Sequence, residues 1–340
     1  GEGNFLRAFC DYVIDVANEE GRFDGNIAII MPRPLSAHGR QTLATFKEQD
    51  CFYTVCLRGK RKGQTYTENR VITSVEKILN AHEDYDEFMA LAEVPTLEYI
   101  LSNTTEAGIV FDSADKFEDK PAKSFPAKLT QFLYHRCEKG LKGVTLLPAE
   151  LIDHNGEELK KCVLQYIDLW KLSGDFKNWI EKECIFVDTL VDRIVPGFPK
   201  GKEEAYAKEL GYEDKLLDEG EPFGLWVIGN PALEKTFSIG SEKLEVQFTD
   251  NLPAFKEQKV RILNGAHTSM VLGAYLAGLD YVGDCMKDPA IRVQLNESVF
   301  GEIVPTVHLP KEQAESFARA VFERFENPFV KHALLSISLK

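Results

Sequence analysis

The segment Gly1-Glu2-Gly3-Asn4-Phe5-Leu6-Arg7-Ala8-Phe9 admits two readings, and the fold turns on the choice between them. As a flexible peptide it carries no information. As a phosphate-binding turn, its glycines let the backbone bend tightly and approach a pyrophosphate, backed by the free amides and positive dipole end of a following helix. Leu6 stands where the G-x-G-x-x-G pattern has its third glycine, so the motif alone leaves both readings open.

The residues that follow supply a helix and then a strand. Phe5, Phe9, Tyr12, Val13 and Val16 recur at helical spacing, with a stop at residues 18–21. Residues 26–31 read as a short buried strand closed by Pro32-Arg33-Pro34. Helix then strand is the second half of a βαβ unit. An acid usually ends that strand to hold a ribose; Arg33 stands there instead, able to stack on adenine, to meet a 2′-phosphate, or to be a plain surface residue.

Farther along, residues 51–73 predict a hairpin around a basic, solvated turn at residues 59–63, and residues 97–103 and 143–148 predict strands on either side of a helix at 127–139. Two helical stretches fill 156–184, extended apolar segments occupy 185–195 and 223–228, and the acidic residues 203–221 read as an exposed excursion. Strand signals fade near residue 250. Residues 259–283, 311–327 and 328–339 are helical in pattern, with Phe317, Val321, Phe322 and Phe325 as an apolar stripe. The expected fold class is therefore α/β: a Rossmann-like, mostly parallel sheet domain over residues 1–250, followed by a mainly α-helical domain over residues 251–340.

Composition limits the partners. The 340 residues are 44% hydrophobic and 28% charged, as in a soluble globular chain, and the net charge of -14 disfavours nucleic acid and anionic membrane surfaces. Seven scattered cysteines with no C-x-x-C pair suit a reducing cytoplasm and encode neither a disulfide framework nor a zinc site.

Three stretches could carry chemistry. In the segment Lys259-Val260-Arg261-Ile262-Leu263-Asn264-Gly265-Ala266-His267, an α-helical spacing puts Lys259, His267 and Asn264 at roughly 0°, 80° and 140°, on one side. Val260, Leu263 and Met270 would form the other side. A lysine half-buried there would lose part of its basicity and could act as a general base, with Asn264 and His267 hydrogen-bonding a carbonyl or hydroxyl oxygen. The plainer reading is a solvated lysine, a capping asparagine and a core histidine. Asp192 and Arg193 are costly to bury without partners, which a structural ion pair or a substrate contact could supply. Glu150 and Asp153 follow a strand end, where open α/β sheets bind ligands, although Asp153 and Asn155 could equally cap the next helix.

Taken in order, Gly1–Phe9, Thr104-Thr105-Glu106-Ala107-Gly108, Val191-Asp192-Arg193-Ile194-Val195-Pro196, Lys259-x5-Asn264-x2-His267 and Arg324-Phe325-Glu326-Asn327-Pro328 resemble the polyol-specific long-chain dehydrogenases, the mannitol dehydrogenase family. The likeness covers essentially the whole chain. It is strongest to the branch that acts on sugar acids, through Pro148-Ala149-Glu150-Leu151-Ile152-Asp153-His154-Asn155-Gly156 and Asn327-Pro328-Phe329-Val330-Lys331-His332-Ala333-Leu334-Leu335.

The resemblance implies an NAD-linked, metal-independent interconversion of D-tagaturonate and D-altronate, with fructuronate reduction, mannitol oxidation or a catalytically silent binding module as the alternatives. It implies Lys259 as general acid/base, Asn264 polarising the reacting oxygen and His267 orienting the substrate. Gly1, Gly3, Asn4, Phe5, Arg33, Thr105 and Glu106 are then expected at the dinucleotide, and Glu150, Asp192 and Arg193 at the substrate. Lys256, Arg261 and Arg292 are candidate partners for its carboxylate. Two departures accompany the likeness. Leu151 stands where polyol enzymes carry an oxygen-binding asparagine, and the strand before the glycines and the family's C-terminal continuation are expected to be missing.

Overall fold

A computed structural model describes residues 1–105 and 107–338. Asn4–Leu6, Arg7–Asp11 and Tyr12–Glu19 form one helical run with a π-type turn over Arg7–Asp11. Phe9, Tyr12, Val13 and Val16 are fully buried along it. Each such apolar side chain contributes about 1.5–3 kcal/mol by leaving water, which anchors the run. Gly21, with φ +67°, ends it in the left-handed region that glycine tolerates.

The strands are β1 (Ile27–Met31), β2 (Tyr53–Arg61), β3 (Gln64–Ile72), β4 (Val75–Asn80), β5 (Tyr99–Ser102), β6 (Thr145–Pro148), β7 (Ile185–Phe186), β8 (Thr189–Asp192), β9 (Asp218–Gly220), β10 (Leu225–Ile228) and β11 (Glu245–Phe248). β1 pairs in parallel with β4, placing Ile29 opposite Ile78. β5, β6 and β7 form a second parallel group, with Leu101 opposite Leu147 and Leu146 opposite Phe186. All four residues of β6 are buried, as a strand covered on both faces requires. The first helix packs against residues of both groups, sharing a core with Ile29, Leu147 and Trp226. The remaining strands add antiparallel pairs: β2 with β3, and β8 with β10.

Two expectations change. Residues 203–221 are an exposed excursion only in part: the helix Glu203–Leu210 shows mostly exposed residues, but β9, which follows, pairs with β2. Tyr206, Leu216 and Leu217 are buried there, and so are Asp218 and Glu221. The acidic run misled because arginines distant in the chain meet its carboxylates. Nor is the basic turn between β2 and β3 free in solvent. Lys60 pairs with Glu326 at 2.6 Å, and the Gly63 amide donates to Glu323 at 2.6 Å. Gly59 makes that approach sterically feasible, since a Cβ would fall 2.9 Å from Asn327 Nδ2, next to Glu326.

Beyond residue 250 the structure is helical: Leu252–Gln258, Lys259–Asn264, Gly265–Leu276, Pro289–Asn296, Lys311–Phe325 and Leu334–Ser338 are its main helical segments. Ile262, Ala266, Met270, Phe317, Val321 and Phe322 make a core that also takes in Leu225 and Val227 of β10. The helical part therefore sits directly on the sheet part, and a cavity lies where they meet.

Candidate active site

That cavity, about 710 Å³, is bordered by the carboxyl ends of β5, β6 and β8 on one side and by helices on the other. Loop residues after such strands are where open α/β sheets place ligands. Thr105 follows β5, Glu150 follows β6, and Asp192 and Arg193 close β8; Phe5 reaches the rim from the first helix. From the helical side come Lys259, Asn264 and His267.

Lys259–Asn264 is a π-helical turn between two α-helices. A π turn closes over more residues than an α turn, so Lys259 and Asn264 share a face more closely than α-helical spacing predicts. Leu263 and Met270 are buried as expected, whereas Val260 is 47% exposed. Lys259 Nζ donates to the Val191 carbonyl at 3.0 Å. Burial lowers its pKa, with Asp192 opposing the shift and Arg324 assisting it. His267 stacks on Phe325, with ring centroids 4.5 Å apart, and meets His332 edge to face at 5.4 Å.

Asp192 is buried, but its partner is Arg324 rather than the adjacent Arg193. Arg324 Nη1 and Nη2 each donate to Asp192 at 2.9 Å, and Nε donates to Glu221 at 3.1 Å. Burial works against the charged form of Asp192, yet Arg324 and then Lys259 outweigh it and hold the carboxyl below its ordinary value. Burial pushes the Glu221 carboxyl up, with Arg324 opposing. Arg193 borders the cavity while its guanidinium donates to the carbonyls of Ala8 at 2.6 Å and Phe223 at 2.9 Å. It thereby ties the first helix to the loop before β10. Glu150 accepts from the Thr104 amide at 2.9 Å and from Ser102 Oγ at 3.1 Å, fixing the loop after β5.

Lys259, Asn264, His267, Phe5, Thr105, Glu150, Asp192 and Arg193 thus line one cavity, while Gly1, Gly3, Asn4 and Arg33 do not. The first three of these are exposed beside Phe5, and Arg33 is exposed after β1. Glu106 lies outside the described residues. Arg324, Asn103, Asn327 and His332 also line the cavity and were not singled out from sequence as site residues. For Arg324 a signal existed: a cation inside the apolar stripe Phe317, Val321, Phe322, Phe325 needs a buried anion. Away from the lining, His154, Glu157 and Asp188 offer ligand atoms within 4.8 Å of one another. Asp188 is committed there to capping the amides of Gly156 and Glu157.

A half-buried lysine with a weakened proton, next to a carboxamide and an imidazole, can exchange a proton with a carbonyl or alcohol oxygen. Comparison with known proteins places the chain among families of known fold. Residues 1–240 match the family model described as the mannitol dehydrogenase Rossmann domain, and residues 251–340 match the mannitol dehydrogenase C-terminal domain. The chain is 45% identical to an altronate oxidoreductase from Yersinia enterocolitica, over all of this chain and 70% of that protein. Among solved structures, a Pseudomonas fluorescens mannitol 2-dehydrogenase in ternary complex with NAD and D-mannitol shares the fold at TM-score 0.77 and 24% identity, covering 99% of this chain and 70% of the other. A D-sorbitol dehydrogenase in substrate-free form does so at TM-score 0.83 and 22% identity, covering 99% and 71%.

Proposed function

The chain belongs to the mannitol dehydrogenase family, and on that premise we propose that it catalyses the reversible NAD-linked reduction of D-tagaturonate to D-altronate in hexuronate catabolism. It is an oxidoreductase acting on the CH–OH group of a sugar acid. The observation that carries the reading is Lys259: half-buried, its basicity weakened by burial, and set in one cavity with Asn264 and His267.

The residues fit a dinucleotide. Gly3 has an extended, unstrained backbone, and a Cβ there would meet no atom within 4 Å, so neither conformation nor packing inside the chain calls for glycine. Open space before an uncapped helix start suits a pyrophosphate. In this reading Gly1, Gly3, Asn4 and Phe5 hold that group, Thr105 borders its nicotinamide end, and Arg33 lies toward the adenosine. When bound, the cofactor supplies or accepts the hydride. We take it to be NAD.

Lys259 gives its proton to the carbonyl oxygen in reduction and takes it back in oxidation. Asn264 donates to the same oxygen as negative charge grows there, and His267 orients the substrate. Asp192 limits how far burial weakens Lys259. Glu150 supports the substrate side through the loop after β5. Residues 1–250 then serve the dinucleotide and residues 251–340 supply the proton-transfer group. Seven free cysteines favour a cytoplasmic location.

Replacing Lys259 by Ala tests the assignment. Efficiency falls by about 10²–10⁴ in both directions. In the parent enzyme, altronate oxidation rises and tagaturonate reduction falls as pH passes through the lowered lysine pKa. A Lys259→Ala enzyme with undiminished turnover across pH would refute the role, and a preference for NADPH in steady-state kinetics would refute the cofactor.

A further inference from the structure

Histidines apart, the cations among the described lining residues of the cavity are Lys259, Arg193 and Arg324. Lys256, Arg261 and Arg292 pair outside it, with Asp153, Glu257 and Glu326. The acids among the lining residues, Glu150 and Asp192, differ in what holds them. Glu150 takes hydrogen bonds from Thr104 and Ser102, whereas Asp192 faces Arg324, Lys259 and His267. Behind them a further acid, Glu221, is buried without reaching the cavity.

Glu221 directly follows β9. Its Oε1 accepts from the Ile194 amide at 2.6 Å and lies 2.9 Å from Arg324 Nη2, and its Oε2 accepts from Arg324 Nε at 3.1 Å. All of these partners are donors, so a proton on the carboxyl would find no acceptor among them. The hydrogen bonding therefore suits the ionised form, against the pull of burial. Arg324 turns its other edge to Asp192, with two hydrogen bonds of 2.9 Å, and Asp192 in turn favours the proton on Lys259, whose Nζ is fixed on the Val191 carbonyl at 3.0 Å. When protonated, Lys259 completes a set of two cations and two anions with Arg324, Asp192 and Glu221. Arg193, the other cation that faces Glu221, donates to the carbonyls of Ala8 and Phe223 and is charged whether or not Lys259 holds its proton.

Resting on the role of Lys259 given above, we propose that Glu221, acting through Arg324, is the counter-charge for the proton on Lys259: a positioning residue that sets the pH at which the site passes from reduction to oxidation. The groups that act on Lys259 directly are Asp192 and Arg324, and Arg324 opposes its proton. Glu221 offsets that opposition by neutralising Arg324 from behind. Without Glu221, Asp192 alone must answer two buried cations, and the lysine sheds its proton at lower pH.

The test is the pH dependence of altronate oxidation by the full-length enzyme, comparing the parent with Glu221→Gln and Asp218→Asn. Glu221→Gln moves the midpoint down by roughly 0.5–1 pH unit. Asp218→Asn alters a buried carboxyl of the same strand region that faces Arg7 instead, and it leaves the midpoint in place. A Glu221→Gln midpoint equal to or above the parent's, or the same displacement in both variants, overturns the proposal, because Glu221 then only holds the fold. Should the Gln variant fail to fold, Glu221→Asp decides in its place, since it keeps the charge but withdraws it from Arg324 by one methylene. A smaller downward move then supports the proposal, and an unmoved midpoint overturns it. Failure of the parent reading shows separately, as an unaltered enzyme that does not oxidise NADH with tagaturonate. The proton on Lys259 is then followed through the pH dependence of its acetylation by acetic anhydride, read by peptide mass spectrometry. A lower midpoint in the Glu221 variant supports the proposal, and an equal one overturns it.

Discussion

Arg324 and Arg7 are both buried arginines beside carboxylates, yet the carboxylates end in different states. Arg324 grips Asp192 with two parallel 2.9 Å hydrogen bonds, and Asp192 stays below its ordinary pKa despite burial. Arg7 lies 3.5 Å from Asp218, its Nη1 and Nη2 donating instead to the Leu216 carbonyl and Asn4 Oδ1. Neither Asp218 oxygen has a hydrogen-bond partner among the described residues, and burial raises its pKa to about 7, with Arg7 only partly opposing. Nearby Asp11 is pushed up to about 6 by burial, against a 2.8 Å hydrogen bond from Tyr53. Glu221 is intermediate, sharing Arg324 and still raised. Burial raises a carboxyl's pKa by default, and at Asp192 the close charge and hydrogen bonds of Arg324, with the charge of Lys259, reverse it.

The largest effect expected from breaking this contrast is that of Arg324→Met. It leaves Asp192 and Glu221 buried without their cation and costs about 3–5 kcal/mol in denaturant unfolding. An unchanged midpoint would mean that the fork is not structural. Next comes Asp192→Asn, which removes an anion that supports protonated Lys259. Stability drops by roughly 2 kcal/mol, and the pH midpoint of altronate oxidation moves down. A midpoint that stays put would separate Asp192 from the lysine.

The smallest effect belongs to Asp218→Asn, and its sign is opposite. Because the folded pKa is raised from 3.8 to about 7, the folded state holds a proton that the unfolded chain has already released between those values. The contribution of Asp218 is fully present below about pH 4 and is lost as pH rises to about 7. The variant should therefore be more stable than the parent at pH 8, and its thermal unfolding should depend less on pH between 4 and 7. A variant less stable at pH 8 would show that Asp218 is needed as an anion for Arg7.

Much of the site was legible because its signals are local. Lys259, Asn264 and His267 lie within one helical stretch, and the helix after the glycines is marked by Phe9, Tyr12, Val13 and Val16, which are buried as their spacing requires. What escaped depends on partners elsewhere. Arg324 meets Asp192 across 132 positions of chain and Glu221 across 103. Asp218 and Glu221, read as part of an exposed acidic run, are buried because β9 joins β2. The basic turn at Lys60 looked solvated because Glu323 and Glu326, which receive it, belong to the far helical part.

Side-chain identity and short-range spacing were thus enough to point to a Rossmann-like fold and to set the lysine and its two neighbours on one helical stretch, since helix and strand periodicities are set within a few residues. Proton affinities, the π turn that draws Asn264 toward the face of Lys259, and the meeting of His267 with His332 required the folded chain. Charge state depends on how much water is removed and which group replaces it, and in this molecule the replacing groups come from the opposite side of a cavity.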